Sequence, residues 1–272
     1  MARAIQDMVV VITGASSGIG RELAFQLAGF GAKLALAARR ADRLQELNAS
    51  LGGQHLVVPT DVAKRSDCER LIAQTRERFG RIDTLVCNAG YGVARTVAET
   101  SAEEMQAIFQ TNVFGTTDCI RAAVPIMRSQ DVRAGYRGQI VIVSSAAGRR
   151  GLPFFGAYSA TKFAQLGLSE ALRVELKPMQ IAVTSVHPVG TETEFFDVAA
   201  RSGIKVPPPG AGEVRQTAST VARKMIDAIR KPRPEVWPLR AARFGLSIAT
   251  LMPGVVDKIM AKYRGEMDKQ RQ

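Results

Sequence analysis

The chain has 272 residues, 46% of them hydrophobic, which is enough to bury one large core. It has no uninterrupted run of about 18 apolar residues, which excludes a membrane-spanning helix, and a strand pattern that begins near Met8 predicts that no secretory leader precedes the fold. Its three cysteines and two histidines lack disulfide or zinc-ligand spacing, so we expect a reduced, metal-free, cytoplasmic protein.

The formal net charge is +12, and residues 221–272 hold twelve Lys and Arg against five Asp and Glu. A basic end of this kind attracts nucleic acid, anionic lipid or an acidic substrate. It also occurs as a solvated surface that keeps a protein in solution. We favour the second interpretation and expect no nucleic-acid partner, because net charge alone selects no partner.

Short apolar, β-rich runs alternate with amphipathic stretches of helical spacing. Runs such as VVVI and IVIV are apolar on both faces, which is typical of parallel strands covered by helices on both sides. With right-handed crossovers, this order predicts a doubly wound, Rossmann-type parallel sheet in a three-layer α/β/α domain. The predicted strands are residues 8–12, 33–38, 55–59, 84–87, 139–144 and 181–186.

The first strand is followed by the segment TGASSGIG, residues 13–20, and then by a predicted helix over residues 21–30. Gly14 permits a tight turn, while Gly18 and Gly20 let backbone N–H groups at the positive end of the helix approach a pyrophosphate. The predicted cofactor contacts in this segment are Gly14, Ser16, Ser17, Gly18, Ile19 and Gly20.

This segment resembles the TGxxxGxG loop of the short-chain dehydrogenase/reductase family. Segments similar to other motifs of that family follow in order, and the resemblance covers roughly residues 8–230. It implies an oxidoreductase that moves a hydride between a nicotinamide cofactor and an alcohol or carbonyl carbon, assembled as a homodimer or homotetramer. The segments are Asp61-Val62, Asn88-Ala89-Gly90, Asn112, Ser145, Tyr158-x-x-x-Lys162 and Pro188 to Thr193.

The end of the second strand indicates which cofactor is bound. An NAD-selective site requires an acidic residue there for the ribose 2′-hydroxyl, whereas a 2′-phosphate requires positive charge without that acid. Ala38 leaves the acidic position empty and Arg39 supplies the charge, so we predict NADP(H). Arg40 and Arg43 either assist or only solvate the next helix, and we favour the latter.

The resemblance assigns further cofactor contacts at the ends of the third and fourth strands. It implies that Asp61 meets the adenine amino group and that Val62 flanks the ring. The turn Asn88-Ala89-Gly90 is expected to line the cofactor. Cys87 stands where the family often has a second asparagine, and we expect local repacking there.

Tyr158 and Lys162 are one helical turn apart, so their side chains leave the same face. A nearby ammonium and an oxidised nicotinamide are expected to favour the phenolate and to make Tyr158 the general acid and base. A Tyr and Lys at this spacing are usually structural, but the family-like context reverses that interpretation. The resemblance implies that Lys162 also holds the nicotinamide ribose, that Ser145 polarises the substrate oxygen, and that the amide of Asn112 holds a water in a proton relay.

The segment after the sixth strand resembles the family's nicotinamide-side turn, with Pro188, Thr191 and Thr193 near the carboxamide. Val189 stands at the usual glycine position, and His187 is interpreted as structural. Residues 191–212 are expected to cover the substrate. Apolar side chains here and nearby either pack within the fold or form a pocket for a lipid-like, steroid-like or otherwise bulky ketone or alcohol, which is the substrate class we predict. They are Tyr91, Val93, Phe154, Phe155, Phe195, Phe196, Val198 and Ile204.

Residues 1–238 are expected to form the catalytic domain, which residues 239–272 extend. The extension contains two amphipathic, basic stretches, residues 240–252 and 255–266. These stretches pack in the core or a dimer interface, which we favour, or dock on an anionic membrane or a partner. An alternative function is a cofactor-binding regulator without turnover, but the complete set of Ser145, Tyr158 and Lys162 argues against it.

Overall fold

The computed structural model describes residues 2–200 and 216–268. In this part of the chain a seven-stranded parallel sheet has the order β3-β2-β1-β4-β5-β6-β9, and a two-stranded parallel sheet pairs β7 with β8. The predicted doubly wound fold is therefore confirmed. The strands are β1 Val9–Thr13, β2 Lys33–Ala38, β3 Leu56–Pro59, β4 Thr84–Cys87, β5 Gly138–Val143, β6 Ile181–Val186, β7 Thr191–Glu192, β8 Gln216–Thr217 and β9 Glu235–Val236.

Helices cover both faces of the large sheet. They are α1 Gly18–Gly29, α2 Ala41–Ser50, α3 Arg65–Phe79, α4 Ala102–Phe109, α5 Gly115–Ser129, α6 Gly156–Glu175, α7 Phe195–Ala200, α8 Ala218–Arg230, α9 Arg240–Leu251 and α10 Pro253–Asp268. A π-helix, Gln110–Phe114, joins α4 to α5, and a 3-10 turn, Ala146–Gly148, follows β5.

Alternation along the buried strands builds two hydrophobic layers. Val10 and Ile12 of β1 point to one side, where they belong to a cluster with Leu23 of α1 and Val221 of α8. Val11 points to the other side and joins a cluster that contains residues of α3 and α5. All five residues of β1 are buried, as the apolar pattern predicted.

The order of the strands creates a crevice between β1 and β4. The chain moves outward from β1 to β2 and β3, and later from β4 to β5 and β6, so the connections on either side diverge at the carboxyl ends of β1 and β4. Such switch points are where doubly wound sheets bind ligands. The predicted site residues follow these strand ends.

All six predicted strands are present with bounds within one residue of the prediction. β7, β8 and β9 were not predicted, because each has only two residues and so has no visible alternation. β9 lies between Pro234 and Pro238 and pairs with the end of β6. α1 begins at Gly18, three residues before the predicted start, because the last two glycines of the loop already form its first turn.

The last two helices follow Trp237 and Pro238. α9 contacts the 3-10 turn Ala146–Gly148, and an ion pair between Arg150 and Asp257 connects α10 to the segment after that turn. The division into residues 1–238 and 239–272 stays a prediction. None of the described helices combines the length and the apolar character that a membrane span requires.

Candidate active site

The phosphate end of the crevice, defined as residues 13–20 with Asn88, depends on close backbone approach. Gly14 has φ of 67°, a left-handed conformation that favours glycine, and a Cβ there would lie 2.9 Å from the Cα of Ala89. A Cβ at Gly20 would collide with the Gly14 carbonyl oxygen. Both glycines are therefore required by the path of the chain.

Reciprocal hydrogen bonds between β1 and β4 hold this end in shape. The Thr13 hydroxyl accepts from the backbone N–H groups of Asn88 and Ala89, both at 3.0 Å, and donates to the Val86 carbonyl. The Asn88 amide donates to the carbonyls of Thr13 and Gly14 at 3.0 and 3.2 Å. Asn88 thus fixes the glycine turn, with Ala89 and Gly90 directly after it.

The same end has the features of an anion-binding site. The Ser17 side chain, at the N-cap of α1, makes no capping hydrogen bond to the first turn, which Gly18 and Ile19 begin. The first N–H groups of a helix and its positive dipole end favour a bound phosphate. This geometry fits the pyrophosphate of a dinucleotide.

A basic cluster lies beside the glycine loop at the end of β2. Ala38 is buried and Arg39 is exposed. Arg40 donates to the Ser16 hydroxyl at 3.2 Å and pairs with Glu194 at 3.0 Å, and Arg43 pairs with the same carboxylate. Arg40 therefore contacts the candidate cofactor site, contrary to the solvating role favoured from the sequence.

Asp61 and Val62 follow β3 as predicted. The Asp61 carboxylate accepts from the N–H of Ala63 at 3.1 Å, and its own N–H donates to Asp67. Val62 is buried and packs closely on Gly115. A Cβ added at Gly115 would lie 2.9 Å from the Val62 Cβ. The pair is therefore held rigidly at the carboxyl edge of the sheet.

The reacting end, defined as Ser145, Tyr158, Lys162 and Asn112, is assembled from three elements. The Ser145 hydroxyl, which follows β5, interacts with the Tyr158 phenol of α6 and lowers the phenol's pKa. Burial has the larger effect and raises the pKa of Tyr158 to about 12. The chain's own residues therefore raise this pKa overall, whereas the sequence-based expectation concerned Lys162 together with an oxidised nicotinamide.

Lys162 lies behind the tyrosine. Its Nζ is 5.5 Å from the centroid of the Tyr158 ring and donates to the Val143 carbonyl and the Gln165 side chain, both at 2.9 Å. Burial lowers the pKa of Lys162 to about 7. The pair is thus close, as its spacing predicted, but its environment disfavours charge on both groups.

Asn112 is buried in the π-helix, and its side-chain amide bonds to Tyr91 and Thr161. Its Oδ1 accepts from the Tyr91 N–H at 3.1 Å, and its Nδ2 donates to the Tyr91 carbonyl and the Thr161 hydroxyl, both at 3.0 Å. The Asn112 amide therefore fixes the backbone after β4.

The turn after β6 brings both ends of the crevice together. The Pro188 carbonyl accepts from the Ala146 N–H at 2.9 Å, next to Ser145. The Thr191 hydroxyl donates to the Val189 carbonyl at 2.7 Å. Thr193 lies over the glycine loop, since a Cβ at Gly18 would be 3.0 Å from its methyl carbon.

His187 supports Ser145 from behind. Its ring stacks on Trp237 with a centroid distance of 4.5 Å, its Nε2 is 2.9 Å from the Ser185 hydroxyl oxygen, and its Nδ1 is 3.3 Å from the Ser145 carbonyl oxygen. Burial lowers the pKa of His187 to about 4. A neutral, buried imidazole agrees with the structural interpretation of this residue.

Apolar side chains surround Tyr158. The ring centroid of Phe195 is 5.0 Å from that of Tyr158, and that of Phe155 is 6.3 Å away. Tyr158 packs on two hydrophobic clusters, one containing Phe154 and the other Val93 and Tyr91. Ile204 and the rest of the predicted cover from residue 201 to 212 lie outside the described residues, as does the Val198 side chain.

A family model described as short chain dehydrogenase matches residues 8–202. The chain belongs to the short-chain dehydrogenase family. A curated relative, 11-beta-hydroxysteroid dehydrogenase-like 2 of Arabidopsis thaliana, is 40% identical over 198 residues, covering 70% of this chain and 61% of the plant protein. The match to this oxidoreductase family thus includes both ends of the crevice.

Solved structures of dehydrogenases share the fold. A short chain dehydrogenase/reductase from Burkholderia phymatum, in complex with NAD, has a TM-score of 0.84 and 26% identity, covering 93% of this chain and 96% of that one. An alcohol dehydrogenase from Thermococcus sibiricus, complexed with 5-hydroxy-NADP, has a TM-score of 0.72 and 28% identity, covering 85% of this chain and 96% of that one. Structural neighbours of this chain therefore bind nicotinamide dinucleotides.

Thr13 and Gln165 were missed by sequence reasoning, and Arg40 was considered but assigned a solvating role. Thr13 was treated only as part of the glycine segment, although its hydroxyl connects two strands. Arg40 follows the predicted Arg39, and a pair of arginines at a strand end was the available signal. Gln165 was not considered, because a glutamine in an amphipathic helix usually faces solvent.

Proposed function

We propose that the chain is an NADP(H)-dependent oxidoreductase that interconverts a carbonyl group and a secondary alcohol, with Tyr158 as general acid and base. The observation that carries the proposal is the position of Lys162, whose Nζ lies 5.5 Å from the centroid of the Tyr158 ring, together with Ser145, which lowers the pKa of the phenol. Dinucleotide contacts are proposed for Gly14, Ser16, Ser17, Gly18, Ile19, Gly20, Arg39, Asp61, Val62, Asn88, Ala89, Gly90, Tyr158, Lys162, Pro188, Thr191 and Thr193.

In this reaction the chain's own residues supply the proton and orient the substrate oxygen. The cofactor, when bound, supplies or accepts the hydride. A Tyr158 phenol with a pKa of about 12 is protonated at neutral pH and donates its proton to the substrate oxygen during reduction. The Ser145 hydroxyl donates a hydrogen bond to the same oxygen as negative charge develops there. Oxidation uses the same groups in reverse.

The test follows NADPH absorbance with a panel of apolar ketones, and NADP reduction with the matching alcohols. Tyr158→Phe keeps the ring that packs on Phe195 but removes the proton. We expect kcat to fall by about 10³-fold or more, with NADPH affinity unchanged. Turnover retained in this variant contradicts the mechanism, and a wild-type protein that binds NADPH without any turnover favours the regulator.

The preference for NADP(H) is supported by charge. The Arg39 charge acts on Tyr91, whose pKa it lowers although burial raises it more, and Arg40 touches the Ser16 hydroxyl. A 2′-phosphate is attracted to such a cluster, whereas a ribose hydroxyl has no acidic partner at Ala38. We expect a higher kcat/KM for NADPH than for NADH, and Arg39→Asp to reverse that order. A wild-type preference for NADH contradicts this assignment.

An apolar substrate is supported by the side chains next to the phenol. Phe155 and Phe195 flank Tyr158, and pockets lined by aromatic side chains bind apolar ligands. The plant relative carries a hydroxysteroid dehydrogenase-like name. We therefore propose lipid-like or steroid-like ketones and alcohols. Equal kcat/KM for small polar and bulky apolar ketones contradicts this choice.

Peripheral membrane contact is a second proposal, favoured by exposed side chains. Phe244, Ile248 and Leu251 occupy one face of α9 with exposed fractions of 68%, 59% and 82%. Arg240 and Arg243 are exposed on the same helix, which complements anionic lipid. In flotation with vesicles of anionic and neutral lipid, we expect the wild type to partition with anionic vesicles more than Phe244→Ser/Leu251→Ser does. Equal partitioning of the two proteins contradicts this proposal. The cytoplasmic location and the homodimer or homotetramer expected from the sequence stay predictions.

A further inference from the structure

A buried glutamine lies beneath the reacting end. Gln165 is fully buried on α6, one turn after Lys162. Its Oε1 accepts from the Lys162 Nζ at 2.9 Å. Its Nε2 donates to the main-chain carbonyl of Asn112 at 2.6 Å and to the Thr116 hydroxyl oxygen at 3.2 Å. Both the oxygen and the nitrogen of the Gln165 amide are therefore hydrogen-bonded within the protein.

The orientation of the amide is fixed by its partners. The Asn112 carbonyl accepts only, and the Thr116 hydroxyl already donates to that carbonyl at 2.8 Å, so its oxygen is left to accept. A flipped amide would place Oε1 against two oxygens and its NH₂ group against the ammonium. Oε1 of Gln165 must therefore face Lys162.

The π-helix supplies the anchor for this contact. Asn112 lies in the wider turn Gln110–Phe114, and its carbonyl receives side-chain donors from both Thr116 and Gln165. Its own amide is used on the backbone of Tyr91 and on Thr161. Hydrogen bonds thus link Lys162 to the main-chain carbonyl of Asn112 through Gln165.

We propose that Gln165 is a positioning residue that ties the Lys162 ammonium to the Asn112 carbonyl and aims it at the reacting end. Val143 and Gln165 take two of the three N–H donors of the ammonium, which leaves the third for the site. An amide neither gains nor loses a proton near neutral pH, so the contact orients Lys162 without conducting protons. This inference rests on the proposed function.

Because Lys162 is buried, its hydrogen bond to Gln165 affects whether its amine is charged. Burial lowers the pKa of Lys162 to about 7, and an oxygen acceptor opposes that shift by favouring the ammonium form. Among the described residues around the ammonium, Tyr158 is the titratable neighbour on α6. β5 presents the Val143 carbonyl, the β4 side presents Gly90, and the π-helix presents Asn112, all of them uncharged.

The test compares Gln165→Met, which keeps the length of the side chain without its acceptor, with Gln165→Glu, which adds a carboxylate. Lys162 is titrated by NMR in ¹³C-lysine-labelled protein, with Lys162→Arg assigning its signal. We expect the pKa of Lys162 to fall in the methionine variant and to rise in the glutamate variant, each by about one unit or more. In carbonyl reduction the alkaline limb of the kcat profile moves in the same two directions, because it follows loss of the ammonium proton.

At neutral pH we expect kcat of Gln165→Met to fall about 10-fold while KM stays unchanged, because orientation rather than binding is lost. Ser169→Ala is the matched control, since Ser169 is equally buried on α6 and its hydroxyl, within the described part of the chain, bonds to its own helix at the Leu166 carbonyl. It should leave the Lys162 titration unchanged. A Lys162 pKa that is the same in wild type and both variants overturns the inference. If the pKa of Lys162 changes in the two variants as expected but no ketone or alcohol is turned over, only the proposed function is overturned.

Discussion

The two ends of the crevice use different parts of the chain. At the phosphate end the contacts are backbone groups, set by Gly14 and Gly20 and clamped by Thr13 and Asn88. At the reacting end they are side chains whose pKa values burial shifts in opposite directions, up for Tyr158 and down for Lys162. In the proposed function, cofactor binding depends on the path of the backbone at the phosphate end, whereas the chemistry depends on burial at the reacting end. Substitutions at the two ends should therefore affect different measurements.

Ser145→Ala is expected to give the largest difference between the effect on kcat and the effect on NADPH affinity. This change removes the proposed donor to the substrate oxygen, and loss of one such donor lowers kcat by about 10²- to 10³-fold. NADPH affinity should not change, because the phosphate end is untouched. The measurements are kcat in the ketone assay and the NADPH dissociation constant from fluorescence.

Ser144→Ala is the control for Ser145→Ala. The Ser144 hydroxyl donates to the Lys162 carbonyl at 2.9 Å and is buried, so its loss should lower stability more than kcat. Equal losses of kcat in the two variants would place the effect of Ser145 in the packing around β5 rather than in the reaction.

The burial of His187 is expected to make the free energy of unfolding depend on pH. Its pKa is lowered from 6.5 to about 4, so the neutral ring contributes stability in full above pH 6.5, and this contribution is lost as pH falls towards 4. His187→Gln removes the titration. From pH 6.5 to 4 its free energy of unfolding, from urea titrations, should fall less than that of the wild type, by about 2 to 3 kcal/mol.

The matched control is His55→Gln. Burial also lowers the pKa of His55, but this residue lies beside β2, away from Ser145. Its effect should therefore appear in stability alone, whereas His187→Gln should also shift Ser145 and lower kcat. Parallel pH curves for wild type and His187→Gln would remove the prediction.

Most of the fold was predictable from local patterns. Strands buried on both faces leave uninterrupted apolar runs, and the glycine segment contains its own geometry, so β1 to β6 and the phosphate end were found. The two-residue strands were not, because pairing partners far along the chain create them. β9, for example, exists only through its pairing with Ser185 and Val186.

The reacting end was predictable in position but not in electrostatics. The spacing of Tyr158 and Lys162 places both on one face, but the direction of their pKa shifts depends on burial by other elements. Gln165 had no signal of its own, since its partner is a main-chain carbonyl in a π-helix 53 residues away in sequence.

A smaller effect is expected at the phosphate end from Gly20→Ala. The new Cβ would meet the Gly14 carbonyl and the Asn88 amide, so the loop must shift. Overpacking of this kind costs about 1 to 3 kcal/mol, which corresponds to NADPH binding roughly 10- to 100-fold weaker if the shift falls on the binding loop. At saturating NADPH, kcat should be close to the wild-type value.

Gly29→Ala provides the comparison within the same helix. A Cβ at Gly29 meets nothing within 4 Å, and alanine favours a helix, so this variant should bind NADPH normally. If Gly20→Ala lowers kcat at saturation as strongly as it weakens binding, the two ends are mechanically coupled and the separation argued above fails.

The smallest effect is expected from Thr13→Val, which keeps the shape of the side chain but removes its hydroxyl. The Ala89 N–H then loses its acceptor, while the Asn88 N–H keeps the Val86 carbonyl, at a cost of about 1 to 2 kcal/mol in the free energy of unfolding. Thr13→Ser retains the hydroxyl and should recover most of that stability. Because Asn88 still donates to the Thr13 and Gly14 carbonyls, the glycine turn keeps one clamp, and NADPH binding should weaken only slightly. Complete loss of NADPH binding in Thr13→Val would mean that the hydroxyl, rather than the backbone path set by the glycines, organises the phosphate end.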